Sequence, residues 1–413
     1  MALDTTVYKE IEGKGADYYA LVGWLAVFAA AGLGASYYME HHGHVVTGMT
    51  NAIVWGTPHV FAVFLIVAAS GVLNVSSISS VFSKHHYKPM ARLSALTALA
   101  LLAGGLMVLV LDLGRPDRLI VAMTKYNFKS IFAWNIYLYT GFFVIVLIYL
   151  WMMMERRFAP HSKKAGLLAF VWRLALTTGT GSIFGFLVAR PGYDAAIMAP
   201  MFIAMSFAFG LAIFILLITV TYRATNRPLG DLILFKMRNL LGVFIAAVLY
   251  FTAAMHLTNL YAAEHMGVER FILMDGGIYT FLFWVVQIGI GGIFPLALLF
   301  NPATGRTCQG ISIASMMVIV GGVAQLYVII VGGQAFPLQL FPGMEVSSSF
   351  FDGQMHGYAP SLPEVVLGLS GIATALLIVA VAVKYLPLLP TSLSDANIRI
   401  SRSLDHIEDE PFN

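Results

Sequence analysis

Ten apolar stretches, each about 20 residues long, recur along the chain. At about 1.5 Å per residue such a stretch crosses a hydrocarbon layer roughly 30 Å thick as an α-helix. They fall at Tyr19–Met39, Ile53–Ile78, Met90–Leu111, Ile131–Met154, Ala165–Ala189, Ile197–Tyr222, Asn239–Ala262, Gly277–Phe300, Ile311–Gly332 and Glu364–Leu386. Composition agrees: charged residues make up only 11% of the chain, against about 25% for a chain whose surface faces water. The expected fold is an all-α integral membrane bundle of about ten helices. Residues 1–386 form the polytopic membrane domain and residues 387–413 a cytoplasmic tail. Met1–Asp17 is polar and mixed in charge, and the apolar run after it is long enough to span rather than to be cleaved.

Charge and cysteine content exclude several functions. A net charge of +3, scattered along the chain, makes no nucleic-acid surface. The one cysteine, Cys308, supplies neither an internal disulfide nor the ligands of an iron–sulfur cluster or structural zinc site. No metal site is expected within the protein, and any electron carrier must use histidine or sit on a partner.

Lys and Arg resist translocation, so their distribution orients the spans. With the N-terminus inside, the outer loops hold only Arg115, Arg118, Lys125, Lys129, Arg190 and Arg270. Both termini are therefore expected to be cytoplasmic, in an inner (cytoplasmic) membrane. Four of those outer charges crowd into Asp112–Ser130, whose core reads Asp112-Leu113-Gly114-Arg115-Pro116-Asp117-Arg118. Such a run can be an ion-paired turn that anchors lipid headgroups, or it can serve a site.

Ionisable residues inside spans are costly and mark candidate sites. Arg173 is the one formal charge well inside a span, and it either ties down broken carbonyls near Thr177–Gly181 or flanks a proton or quinone path. His59 and His256 each lie about six residues from the outer end of their spans, roughly 9 Å deep. An imidazole at that depth suits hydrogen bonding to a quinone carbonyl with proton exchange, or axial ligation of a haem, or a plain interhelical bond. Asp112, Asn135, Tyr137, Tyr139, Arg190, Asp194, Asn259 and Glu264 gather at the same level. Glu40, His41, His42 and His44 have no fixed helical spacing and read as a solvated loop. The outer loop Gly333–Pro363 has no Lys or Arg and several aromatics, including Phe351-Asp352-Gly353-Gln354-Met355-His356. A long apolar outer loop suits a partner's docking surface.

The Asp-Leu-Gly-Arg-Pro string at 112–116, within a ten-span frame, resembles the polysulfide-reductase membrane-subunit family, also called NrfD-like. Trp55-Gly56-Thr57-Pro58-His59 is similar to that family's second-helix pattern. Within the family the sequence looks most like the integral-membrane P subunits of dissimilatory sulfite-reductase-linked (Dsr) electron-transfer complexes. The resemblance implies a quinone-interacting membrane anchor that binds menaquinone or ubiquinone near the outer face. It also implies an extracytoplasmic iron–sulfur protein docked there, other subunits of a redox complex, and a place in sulfur metabolism. His59 and Asp112 match family positions for quinol binding and proton exchange, whereas Arg115 and Arg118 would shape the loop or its docking. His256 and Arg173 match no family motif. Two other functions stay open at this point, a haem b cytochrome with His59 and His256 as axial ligands, and a secondary transporter. No internal repeat supports the transporter.

The orientation is testable. A cysteine introduced at position 339 should react with an impermeant thiol reagent from outside, and one at position 84 should not. The opposite pattern would invert the topology.

Overall fold

The structure, a computed structural model, describes residues 6–82, 84–337 and 353–396, apart from the side chain of His85. Residues 338–352 of the Gly333–Pro363 loop and residues 397–413 of the tail, with Arg399 and Arg402, lie outside the described residues. Among the described residues ten helices are long and apolar enough to cross a membrane. They are α1 (Ala16–His42), α2 (Thr57–Ser80), α3 (His86–Leu111), α4 (Ile131–Met154) and α5 (Ala159–Phe186). After them come α6 (Met198–Ala224), α7 (Asp231–Tyr261), α8 (Ile278–Phe300), α9 (Cys308–Ala335) and α10 (Leu362–Tyr385). The expected all-α, ten-helix bundle is the fold.

Helices α2, α3 and α6 form the buried centre, while α1, α4, α7 and α8 turn most of their surface outward. Lipid tails are as apolar as leucine, so burial alone cannot drive helices together; close backbone approach at small residues can. The sequence provides these residues where helices cross. Gly71 of α2 lies against Ser206 and Gly210 of α6, Gly104 of α3 against Gly371 of α10, and Gly291 of α8 against Gly321 of α9. Ser70 Oγ donates to the Arg173 carbonyl of α5, and Tyr149 of α4 bonds Ser76 of α2.

The second span differs from its sequence boundary in a useful way. Its apolar run starts at Ile53, but the helix starts at Thr57, because Pro58 fits only the first helical turn, where its missing N–H costs nothing. Residues 43–56 therefore run irregularly over the end of the bundle, and His59 lies in the first turn of α2 rather than six residues into it. Helix α8 is also irregular. It winds as a π-helix over Leu282–Ile293, ending just before Pro295, which has no N–H to return to the Gly291 carbonyl.

At the opposite end of the bundle, β1 (Tyr8–Lys9) pairs antiparallel with β2 (Leu389–Pro390). Arg227 clamps both by donating to the carbonyls of Lys9, Glu10, Leu389 and Pro390. The residues just after α10 are thus packed into the protein, with Leu388, Leu389 and Leu393 buried.

A Cβ at Gly71 would collide with the Ser206 backbone, whereas one at Gly23, on the lipid side of α1, would meet nothing within 4 Å. Gly71→Leu should cost about 2 kcal/mol or more through forced separation of α2 and α6. Gly23→Leu should be neutral, and thermal unfolding of the two variants in detergent compares them directly.

Candidate functional site

The irregular segment 43–56 exposes backbone groups where the bundle meets the interface, and side chains from distant elements satisfy them. Glu364, in the first turn of α10, is fully buried. Its Oε2 accepts the N–H groups of Gly48 and Ser361, each at 2.7 Å, and its Oε1 accepts the Tyr358 hydroxyl, also at 2.7 Å. Tyr358 in turn receives the Thr57 N–H at 2.7 Å, fixing the start of α2. Gln334 accepts from the N–H groups of Val54 and Trp55 and donates to the Trp55 carbonyl, and Arg190 donates to the Ala52 carbonyl. Trp55 is held on both sides of its backbone before its ring does anything.

That ring stacks on His59, with centroids 5.1 Å apart and planes 9° from parallel. Phe132, Phe184 and Tyr193 pack round the indole at 5.8, 6.0 and 6.2 Å. His59 thus lies beneath an aromatic box built from the pre-α2 segment, α4, α5 and the α5–α6 link. Gly105 of α3 rests on Ala62 of α2. Counting outward from that contact along the two antiparallel helices, His59 is about 5 Å and Asp112 about 10 Å nearer the surface.

Asp112 closes α3: its N–H bonds the Val108 carbonyl at 3.0 Å. Gly114 then turns the backbone with φ +66°, the left-handed conformation that glycine adopts freely after a helix. His44 fills the space over this turn, and a Cβ at Gly114 would lie 3.1 Å from its Nε2. Among the described residues, Asp112 Oδ1 and His44 Nε2 are both enclosed and have no hydrogen-bond partner. Burial, with the Glu364 carboxylate adding its repulsion, pushes the Asp112 carboxyl up to about 7. A carboxyl that titrates near neutrality, with an unused oxygen, is chemically a proton donor and acceptor.

The other candidates take separate places. Arg115 forms an exposed two-pronged pair with Asp117, both contacts at 3.0 Å, while Arg118 ends the turn Pro116–Arg118. Asn135 is buried and committed, its amide donating to the carbonyls of Ile131 and Gly179, so it joins α4 to α5. Tyr137 is exposed on the outside of α4 and donates to the Met123 carbonyl. Tyr139 bonds Thr180 within the α4–α5 seam. Arg173 is 1% exposed, between the rings of Phe170 and Phe207 at 4.8 and 5.0 Å. The carbonyls near Thr177–Gly181 that it was expected to tie down are not broken, because α5 stays helical there, and its Nε and Nη1 have no partner among the described residues. His256 belongs to another group altogether, bonded to Glu269 and packed edge-on against Phe283. Each of the two membrane histidines is thus covered by an aromatic ring of its own. Among the described residues no cluster of His, Cys, Asp and Glu could hold a metal ion.

Residues 45–338 match the family model described as polysulphide reductase, NrfD. The protein belongs to the NrfD family. Over 385 residues it is 31% identical to the Hdr-like menaquinol oxidoreductase integral membrane subunit of Archaeoglobus fulgidus, covering 93% of its own length and 96% of the relative's. It is 22% identical to the menaquinone reductase integral membrane subunit of Nitratidesulfovibrio vulgaris, over 89% of its own length and 91% of the relative's. One of the polysulfide reductase chains of Wolinella succinogenes is 24% identical to it, over 69% of this protein and 96% of that relative. With ten apolar helices, this NrfD member is a multi-pass membrane protein.

Sequence reasoning passes over Glu364, Tyr358, Gln334 and Glu269. Glu364 carries a signal, being an acid at the mouth of an apolar span, but a capping box at Ser361 explains it equally well. Glu364→Leu should orphan the N–H groups of Gly48 and Ser361 and remove one acceptor of the Tyr358 hydroxyl, costing about 3 kcal/mol or more. Hydrogen exchange should then speed up at Gly48 and Thr57 selectively, while the far end of α2 stays protected.

Proposed function

We propose that this protein is the quinone-reactive membrane subunit of a menaquinol or polysulfide-type oxidoreductase complex. On this reading His59 and Asp112 handle quinol protons and an extracytoplasmic iron–sulfur subunit exchanges the electrons. The observation that carries the reading is Asp112, a half-buried carboxyl tuned near neutrality with an unused oxygen, beside the α2 terminus that bears His59. Names of the relatives support the class: two are menaquinol or menaquinone oxidoreductase subunits and one belongs to a polysulfide reductase. The residues also fit a quinone headgroup. A flat apolar ring with a carbonyl at each end needs aromatic walls and separated polar partners, and Trp55, His59, Asp112 and His44 offer both.

A bound quinol supplies two electrons and two protons on oxidation, and the protein's own residues divide the rest of the work. Trp55, Phe132 and Phe184 exclude water and fix the plane in which a ring can lie beside His59. The imidazole of His59 holds a proton at one ring nitrogen and accepts at the other. Asp112 Oδ1 accepts the second proton and, at the C-terminus of α3 next to the Asp112–Ser130 loop, passes it to the outer water. With a single cysteine the protein has no cluster of its own, and the electrons leave through a partner. Arg115 and Arg118 on that loop, together with the stretch between α9 and α10, are proposed to form the surface that receives the iron–sulfur subunit. A role in sulfur-compound metabolism follows from the same reading, with both termini in the cytoplasm.

His59→Ala and Asp112→Asn should each lower quinol-linked electron transfer at least about 100-fold while the complex still assembles. Ionised Asp112 is the form able to accept, so the wild-type rate should rise with pH through about 7. Glu364→Gln can keep the two backbone bonds at its one oxygen, turns an amide N–H toward Tyr358 and removes the like charge, so Asp112 should ionise more readily and the rising limb should move to lower pH. A profile of kcat/KM against pH that lacks this limb, or does not move in Glu364→Gln, would remove Asp112 from the mechanism.

A further inference from the structure

A second set of buried polar side chains lies on α7, α8 and α9 and takes no part in the site above. Its head is a carboxylate–imidazole pair. Glu269, on the short helix Met266–Arg270 that follows α7, is 1% exposed, and its Oε2 lies 2.6 Å from His256 Nδ1. Its Oε1 accepts the Asn259 amide at 2.8 Å. The other charges of this region turn away. Arg270 pairs with Asp275 at the surface, His265 bonds the Pro191 carbonyl, Tyr193 bonds the Ile330 carbonyl, and Asp194 is exposed. Among the described residues Glu269 bonds two side chains, His256 and Asn259.

Below the pair, two small cavities follow one another down α7. Each has a volume of about 20 Å³, room for about one water molecule. The upper is lined by His256, Asn259 and Glu269, the lower by Thr252, and both are lined by Gln287 and Gln325. Asn259 to Thr252 is seven residues, so the polar track descends roughly 10 Å along the helix. Gln325 donates to Thr252 Oγ1 at 3.2 Å, and Gln287 enters from the π-wound stretch of α8, a departure from regular helix frequent at functional sites. Below Thr252 the lower cavity is walled by Ile245, Leu249 and Phe209.

We propose that His256 and Glu269 form a proton-exchanging dyad fed by a water-lined half-channel that reaches toward the middle of the bilayer and is separate from the His59–Asp112 site. A pair held together only for structure would need neither the two amides beneath it nor cavities of water size. Amides do not titrate, but they orient water, which carries protons between groups that do. The dyad takes one proton from a cavity water and returns one to it, with no electron transferred and no other bond broken. Its apolar lower end keeps the path from leaking, so proton movement through it depends on a change of the protein.

The full-length protein with Cys308→Ser, reconstituted in liposomes, tests this without quinone. Infrared spectra taken between about pH 5 and about pH 9 should contain a carboxyl–imidazole signal that shifts within seconds in D2O and is lost in Glu269→Gln. His256→Gln should lose it as well, which covers the case of one variant failing to fold. The new thiol of Thr252→Cys should react with Ag⁺, an ion near water in size, about tenfold faster than that of Tyr250→Cys, two residues away on the lipid side. A pair whose signal does not change over that range, or a Thr252→Cys thiol no more reactive than the Tyr250→Cys thiol, would overturn the proposal. Failure of the quinone reading would instead appear as unchanged quinol turnover in Asp112→Asn.

Discussion

Every backbone N–H and C=O that leaves regular helix at membrane depth must find a partner in protein, because hydrocarbon offers none. That constraint organises the end of the bundle at which α2 begins. Segment 43–56 cannot be helical through Pro58 and Gly56, so its donors and acceptors are collected by Glu364, Tyr358, Gln334 and Arg190, drawn from three distant parts of the sequence. The same contacts place Trp55 over His59 and bring a second carboxylate close to Asp112. Position and protonation state are therefore set by one network, and a change in Glu364 should be felt in both.

Much of the architecture could be read in the sequence, since ten apolar runs of membrane length have few other uses. What was less legible is where helix stops inside an apolar run. Ile53–Gly56 are apolar enough to be counted in α2 yet are not helical, and only the proline in the first turn hints at it. The π winding of α8 leaves no mark on hydropathy. Of the candidate residues, His59 could be picked out by depth and by a family pattern, and Asp112 by the charged string that follows the third span. Their supports were hidden, because Gln334 and Glu364 look like an amide and a cap near span ends until the protein is folded. Matching depth brought His59 and His256 forward together, but depth is one coordinate of three, and each histidine lies in its own surroundings.

Arg173 shows how this interior tolerates charge without an acid. Its guanidinium lies between two phenyl faces, where ring quadrupoles replace part of the lost hydration, and its backbone carbonyl is bonded by Ser70 and Thr177. Among the described residues the buried ionisable groups thus include a carboxylate held by backbone N–H groups (Glu364), a cation held by aromatics, a carboxyl raised by burial and a like charge, and a carboxylate paired with an imidazole. The last two bring groups suited to proton exchange, and they occupy different halves of the bundle.

Helix α1 packs mainly against α10: Gly32 lies against Ser370, Tyr18 bonds the Ala380 carbonyl, and Lys384 bonds Tyr19. Helix α1 therefore meets its principal neighbour only after more than three hundred further residues have been synthesised. The β1–β2 pairing, whose second strand follows α10, likewise waits for that helix. Biogenesis of this protein should include a closing step, in which arrival of α10 brings Glu364 to the segment before α2 and satisfies its backbone. A nascent polypeptide arrested before that point would hold segment 43–56 without the carboxylate that accepts the Gly48 N–H.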